Sequence, residues 1–574
     1  MIIYRIDVEN FRGIRSLIWE VEGSTLCLVG PGDSTKTTIL DAIEYALFPR
    51  WNLLFYDSDF YDANIDNPIK ITVTVGQIPE KLKSENKYGL ECKGWNETEG
   101  IHDEPKDGDD LAIAIQLMID KSLEPLWRIV NDRNPDGVAI SAKDRQLLGI
   151  SRLSSYVDRE LNWGRDSILS RFTGKIEDLN SLLADSGRIA RSSINTQDLT
   201  TLNKATERIK EVSGNFGVIP RKGFNPHLDF RAVHIGDGGF SLHDGEIPFR
   251  KSGLGSKRLL IHSLQNSLAV MGGIRLVDEI ELGLEPHRIN RVLNVLGNRS
   301  VKTSESSDQI FSHGQLFLTT HSPVVIVELN SDEICVVRNK DGIITVCPVG
   351  RALQDVVRSA PQALLGRKII VCEGKTEIGI CRALDNWWSN DQQKYSFAYQ
   401  GVVLVDGGGA SAPSKALKLH SLGYPIFYIC DSEVPLSPPI KNLEETGICV
   451  AQWEGNLAIE GRIVNDLPWQ GVIELVSLAM DIWPEESIRQ SIISFLKGVN
   501  FQLPDDISLW EDSSQLRQAM SIAADKFNDK KGWFKRISSA ETLGKIIIKY
   551  LPQISATDLS KKIVRLRSWV DKID

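Results

Sequence analysis

Three short apolar runs in this chain each end on an acid. KIIVC leads into Glu373 and Gly374, VVLV into Asp406 and three glycines, and IFYIC into Asp431 and Glu433. Runs of this length and composition suit strands buried on both faces of a parallel sheet. With helical pattern between them, the segment from about residue 366 reads strand, helix, strand, helix, strand, a small parallel α/β unit. Parallel strands set their C-terminal ends along one edge, where open α/β sheets bind ligands. The alternation therefore brings Glu373, Asp406, Asp431 and Glu433 together. Carboxylates so gathered repel one another, and divalent cations make such a cluster tolerable. Oxygen-only donors with no histidine beside them suit Mg²⁺ or Mn²⁺ and disfavour zinc. Glu377, four residues after Glu373, has an alternative use as an acid at a helix start. Three strands that all end on acids are harder to explain as caps.

A second constraint lies near the N-terminus. VGPGDSTKTTILDAIEYAL places a glycine-rich loop between an apolar strand and an amphipathic helix from about Thr37 to Leu47. Backbone N–H groups in such a loop cradle phosphates, with Lys36 on the β/γ-phosphates and Thr37 on Mg²⁺. The usual pattern is G-x-x-x-x-G-K-[ST], and here Thr35 replaces the second glycine. Three later pieces add to it. IRLVDEIELGLEP is an apolar strand ending on Asp278 and Glu279, the first suited to holding Mg²⁺ and the second to activating water. KSGLGSKRLL is a Gly/Ser-rich loop opening a helix, and FLTTHSPVVI ends a strand on His321, placed to sense a γ-phosphate. Each alone reads equally as an acidic turn, a helix cap or a buried histidine.

Between these pieces, IKITVTVG, GLECKGW, DLAIAIQLMI and LWRIVND read as an antiparallel meander interrupted by an acidic loop around NETEGIHDEPKDGDD. Residues from about 150 to 215 are polar with helical spacing, a helical insertion or dimerisation arm, and the chain beyond about 470 is mostly helical. Apolar content of 42% and charged content of 25% are ordinary for a soluble protein. No run suits a membrane span, and MIIYRIDVENFRG lacks the basic-then-apolar pattern of a secretory signal. The eight cysteines are scattered without a C-x-x-C pair, which argues against a zinc ribbon and a disulfide framework; the chain reads as cytoplasmic. A net charge of −10 argues against wrapping nucleic acid over the whole surface. From Lys526 onward, however, twelve Lys/Arg stand against five Asp/Glu, either a solvated helical face or a phosphate-contacting surface.

Together with NFRG at residues 10–13, the first set of motifs resembles the ABC-type ATPase heads of SMC-like and OLD-family proteins over about residues 1–360. That resemblance implies a Walker A loop of Gly30, Gly32, Lys36, Thr37 and Thr38, with Asp278 and Glu279 as Walker B. It also implies a signature-like loop from Ser252 to Gly255, His321 as switch histidine, and Arg12 on the nucleotide. The order E-G, D-G-G, D-x-[DE] resembles the Toprim domain of topoisomerases, primases and OLD-family nucleases. EGKTE, with its second acid, is similar to the OLD version, although Glu433 stands where many Toprim domains carry Asp. WEGNLAIE adds Glu454 and Glu460, of which Glu460 is the chosen further ligand. KKGWFKRISSAETLGKII resembles the motif that supplies a catalytic lysine, with Lys535 the best match and Lys545 second; an ordinary surface lysine is the alternative.

A head followed by a Toprim unit is the arrangement of the OLD family. The fold this implies is α/β: an ABC-type ATPase head over 1–360, with its helical insertion, then a Rossmann-like Toprim domain over 366–470. A helical C-terminal part occupies 471–574. The implied activity is an ATP-regulated, Mg²⁺- or Mn²⁺-dependent DNA endonuclease or nickase. Glu373, Glu377, Asp406, Asp431, Glu433 and Glu460 would bind metal, and Glu373, Lys535 and, in the head, Glu279 would act in catalysis. By likeness the partners are DNA, a second copy in a homodimer or dimer of dimers, and a helicase-like protein in anti-phage defence. One rival is an ATP-gated DNA clamp with an inactive Toprim centre. The other is a topoisomerase or primase, for which the chain shows neither a zinc ribbon nor an identifiable nucleophilic tyrosine.

Overall fold

The computed structural model describes residues 1–49, 53–153, 158–164, 167–173, 179–192, 200–214, 221–222, 224, 240–268, 273–296, 314–433, 435–496, 503–530 and 532–572. Strand Thr25–Val29, which leads into the glycine loop, lies inside a large mixed sheet. It pairs in parallel with Leu316–Thr319 on one side and Ile334–Lys340 on the other. Beyond Leu316–Thr319 come Arg275–Val277 and the short edge strand Ser151–Leu153, again parallel. The other half turns antiparallel through Ile14–Glu20, Ile2–Phe11, Ile69–Gly76 and Asp110–Ile119.

The meander follows its alternation. Ile69, Ile71, Val73 and Val75 are fully buried, while Lys70 and Thr72 between them are half-buried; Thr74, also buried, departs from the alternation. Two details differ from the sequence reading. GLECKGW is a strand only from Lys93, because Gly89–Glu91 closes a 3₁₀ turn with the Glu91 and Cys92 N–H groups on the carbonyls of Tyr88 and Gly89. The acidic stretch is not all loop: Lys93–Asn96 and Gly100–His102 form a hairpin, tied at its base by His102 Nε2 and Asp109 Oδ2 at 2.5 Å. Helices Ile168–Thr173, Leu179–Ser192 and Thr200–Gly214 occupy the expected helical insertion. Its start departs from the expectation, since Ser151–Leu153 is the sheet's edge strand, and residues 154–157, 165–166, 174–178, 193–199 and 215 lie outside the described residues.

A separate sheet of four parallel strands runs in the order Val402–Asp406, Lys368–Cys372, Ile426–Cys430, Cys449–Gln452. All five residues of Lys368–Cys372 and of Ile426–Cys430 are buried, as continuous apolar runs demand when helices cover both faces. One face shares a hydrophobic core with the first sheet, through Val336, Val349, Leu364, Ile369, Tyr424 and Tyr428. The expected division at about residue 360 therefore falls in packed chain. Tyr424 OH donates to the Leu364 carbonyl at 2.8 Å, and Lys418 Nζ to that of Ala352 at 2.6 Å.

The other face is covered by the C-terminal helices. Helix Lys375–Asn390, which starts just after Glu373, lies against helix Ile537–Tyr550 at glycines from both sides. A Cβ on Gly379 would stand 2.4 Å from Ala540 Cβ, and one on Gly544 would stand 2.5 Å from Ala383 Cβ. This close crossing, with Trp533 and Phe534 buried just before it, is what carries Lys535 to the sheet edge. Among the described residues, no helix is long and apolar enough to cross a membrane.

Candidate functional site

The glycine loop is pinned from below. Gly30 has φ +148°, and a Cβ there would stand 2.6 Å from the Val337 carbonyl oxygen. Lys36 opens helix Lys36–Leu47 and folds back on its own loop. Its Nζ donates to the carbonyls of Gly30 (3.1 Å) and Pro31 (2.8 Å) and to Ser34 Oγ (3.0 Å). The residue is 4% exposed. Burial pushes its pKa down to about 8, against the opposing charges of Asp33 and Asp278. A buried ammonium whose hydrogen-bond partners are all neutral is suited to receive an anion. Gly32 and Thr37 are exposed at the mouth of the loop, and Thr38 is half-buried.

Thr35 stands where the second glycine of the pattern would be, and its φ is +67°. The left-handed region costs a non-glycine residue on the order of 1–2 kcal/mol. Thr35→Gly removes that strain but adds roughly 0.5–1 kcal/mol of unfolded-chain entropy. The expected net gain is up to about 1.5 kcal/mol, read as a higher urea midpoint. A lower midpoint would mean that packing of the Thr35 methyl on the Gly13 turn outweighs the strain; a Cβ on Gly13 would lie 2.9 Å from that methyl.

Parallel register delivers the remaining groups to the same sheet edge. Asp278 follows strand Arg275–Val277, and its Oδ1 accepts from Thr319 Oγ1 at 2.6 Å and Thr37 Oγ1 at 3.2 Å. Glu279 is exposed with φ +46°, and its N–H donates to Thr319 Oγ1 at 2.9 Å. Arg258, fully buried on helix Leu254–Leu268, donates to the carbonyls of Asp278 (3.1 Å) and Glu279 (2.9 Å). Gly255 seats that helix on the turn after Glu279, since a Cβ would come within 2.4 Å of the Gly283 carbonyl oxygen. Ser252 is half-buried just before it. His321 is exposed, and its backbone N–H donates to Glu281 Oε1 at 2.7 Å. Lys36, Thr37 and Asp278 are thus brought into one cluster. Arg12 lies to one side, engaged by Asp41, by Asp59 at 2.9 Å and by Tyr45 OH at 3.2 Å.

At the parallel sheet the acids converge as strand ends. Cys372 is in register with both Asp406 and Ile429, so Glu373, Asp406 and Asp431 share one edge. Each uses an oxygen on a nearby donor. Glu373 Oε2 accepts from the Asp431 N–H (2.8 Å), Asp406 Oδ1 from that of Gly408 (2.9 Å), and Asp431 Oδ1 from that of Ile459 (2.9 Å). Glu377 Oε2 caps the Gly374 N–H at 2.9 Å, so the helix-start use is real for this acid. Glu460 is 1% exposed; its Oε1 takes Thr376 Oγ1 at 3.1 Å and Lys535 Nζ at 3.2 Å, while its Oε2 is buried with no hydrogen-bond partner. Glu433 is exposed at the rim.

Among the described residues no three Asp, Glu, His or Cys side chains gather about one point as metal ligands, because these local N–H groups hold them. Burial and crowding nevertheless make charge costly on two of these acids. Burial, then the charges of Glu460 and Glu373, holds the Glu377 carboxyl well above its ordinary range. Burial, then Glu377, Glu460 and Glu373, does the same to Asp431. Burial works against the charge on Lys535, but Glu460, Asp525 and Glu377 outweigh it and raise its pKa. Asp525, 3.5 Å from Lys535 Nζ, was not foreseen from sequence; it sits in SIAADKF, a helical segment with no motif. Thr319, Glu281 and Arg258 were missed likewise, although Glu281 is the third acid of DEIE.

Residues 163–328, the segment that contains Ser252–Gly255, Asp278 and His321, match the family model described as AAA domain, putative AbiEii toxin, Type IV TA system. No curated protein matches the chain. Among solved structures, the SMC head bound to the C-winged helix domain of ScpA is 13% identical, with a TM-score of 0.33, over 60% of this chain and 97% of that one. The SMC head domain from Thermotoga maritima is 13% identical, with a TM-score of 0.30, over 61% and 100%. The recombination mediator RecF with ATP is 14% identical, with a TM-score of 0.33, over 60% and 97%.

The raised carboxyls make a stability prediction. The folded state keeps protons on Glu377 and Asp431 that the unfolded chain has already lost, so their contribution is present in acid and lost as pH rises through the raised values. A divalent cation bound at this cluster would replace those protons. The rise in Tm on adding Mn²⁺ is expected to be larger at pH 8 than at pH 5. An equal rise at both values would place the cation elsewhere.

Proposed function

We propose that this chain is an ATP-regulated, divalent-metal-dependent DNA endonuclease or nickase of the OLD type, with an ABC/SMC-like ATPase head and a Toprim centre. The observation that carries the nuclease half is the edge cluster itself: burial and the neighbouring charges of Glu460 and Glu373 raise the cost of ionising Glu377 and Asp431, and Glu460 keeps an unpartnered buried oxygen beside Lys535. An oxygen-only set of this charge fits Mg²⁺ or Mn²⁺. Bound there, the cation supplies positive charge at a phosphodiester. Glu373, Glu377, Asp406, Asp431, Glu433 and Glu460 hold it, Glu373 accepts the proton of the attacking water, and Lys535 offsets charge developing on the phosphate.

The ATPase half is supported by the match over residues 163–328 and by the buried, neutrally partnered Lys36. Lys36 meets the β/γ-phosphates, Thr37 and Asp278 hold the nucleotide's Mg²⁺, and Glu279 accepts a proton from water. Ser252–Gly255 meets the nucleotide of a second copy, and His321 senses the γ-phosphate. A homodimer or dimer of dimers follows, acting on DNA in defence against phage, with a helicase-like partner. Supercoiled plasmid tests this: nicking or linearisation with Mg²⁺ or Mn²⁺, abolished by EDTA and altered by ATP, is the expected result. ATP binding without cleavage under any of these conditions would instead favour the ATP-gated clamp. The observation on that side is that the carboxylates are turned onto backbone N–H groups.

A further inference from the structure

Edge strand Ser151–Leu153 carries Arg152, whose side chain is 9% exposed. Its guanidinium lies between helix Lys36–Leu47 and the end of strand Arg275–Val277. There it meets three acids: Asp41, Glu44 (Nη1 to Oε2, 3.0 Å) and Asp278 (Nη2 to Oδ2, 3.4 Å). Asp278 therefore has both oxygens assigned. Oδ1 faces the hydroxyls of Thr319 and Thr37, and Oδ2 faces Arg152.

We propose that Arg152 is a positioning residue for the nucleotide-bound Mg²⁺, holding Oδ2 of Asp278 so that Oδ1 stays turned toward the Thr37 hydroxyl. The inference rests on the head being an ATP site. A carboxylate has two equivalent oxygens and a soft terminal torsion, so its direction is set by what its second oxygen meets. Thr319 alone, on Oδ1, leaves the other oxygen unplaced. Arg152 is itself fixed by Asp41 and Glu44 on the helix that begins at Lys36, so it orients Asp278 relative to the very helix that bears Thr37. Asp41, Glu44 and Asp278 still outnumber the two guanidinium groups of Arg152 and Arg12 that they meet, so Arg152 orients Asp278 without cancelling the attraction for a cation. Exposed ion pairs are worth little, but these groups are largely shielded, with side-chain exposures of 16% for Asp41 and Glu44 and 18% for Asp278. Partners that orient a metal ligand typically change metal affinity by about 10–100-fold.

The test is binding of a fluorescent ATP analogue at fixed concentration, titrated with Mg²⁺, for wild type, R152A and R152K, with parallel binding in EDTA. R152A is expected to raise the Mg²⁺ midpoint about tenfold or more, while binding in EDTA stays within about twofold. R152K keeps the charge but not the forked donors, and is expected to fall between them. Should R152A fail to fold, R152K decides. An unchanged Mg²⁺ midpoint in the folded variants overturns the inference. So does an equal loss in EDTA, which would make Arg152 a general strut. If wild type binds no nucleotide with or without Mg²⁺, the ATP reading itself fails and the inference with it.

Discussion

Glu373→Ala is expected to abolish plasmid nicking while leaving ATP binding intact. The backbone at this position is held independently of the side chain. The Glu373 N–H donates to the Ile429 carbonyl at 3.1 Å, and its own carbonyl accepts from Gly409 at 2.9 Å. The side chain gives the fold one acceptor, for the Asp431 N–H. Losing it costs about 1–3 kcal/mol if that N–H stays buried and unpaired. Against this, the variant removes a negative charge that helps hold Glu377 and Asp431 above their ordinary range. Stability should therefore change little, and least at alkaline pH. Catalysis should fall by at least about a hundredfold, the scale for losing one preorganised electrostatic group. Near-normal nicking by a folded Glu373→Ala protein would remove the acid cluster as the cleavage centre.

What could be read from the sequence was whatever burial and register impose locally. KIIVC and IFYIC are legible because every residue in them is inside, and an acid after each run has only one edge to go to. The fourth parallel strand, Cys449–Gln452, escaped because CVAQ is short and ends on no acid. The second strand of the hairpin, Gly100–His102, escaped because three residues inside an acidic stretch carry no pattern, and its shape depends on contacts distant in sequence. A Cβ on Gly94 would stand 2.4 Å from Asp109 Oδ2, a contact no local pattern announces. The same limit governs the sites. Lys36, Thr37 and Asp278 sit in recognisable strings, whereas Arg152 and Asp525 occupy ordinary strand and helix positions and gain meaning only from the acids and lysine that folding sets against them. Glu460 and Lys535 could be named separately, but their ion pair depends on how the C-terminal helices cross the parallel sheet.

Lys36→Ala is expected to weaken ATP binding by about two to four orders of magnitude, since two charge-assisted hydrogen bonds at roughly 1.5–3 kcal/mol each are lost. The native lysine spends its three donors on Gly30, Pro31 and Ser34, which are neutral, and burial has lowered its pKa to about 8. A triphosphate brings negative charge to that buried ammonium and favours its protonated form. ATP affinity of the wild type should therefore fall as pH rises through about 8, with proton uptake on binding; in Lys36→Ala both the uptake and that part of the pH dependence should vanish. Calorimetry in two buffers of different ionisation enthalpy measures both quantities. Wild-type affinity that is flat across this range would mean that the phosphates never reach Lys36. If binding is lost in Lys36→Ala but nicking persists, nucleotide does not gate the acid cluster. If nicking is lost or rises along with the loss of ATP, the two edges are coupled, and the core shared between the two sheets, from Val336 and Val349 to Ile369 and Tyr424, is where mutation would test the route.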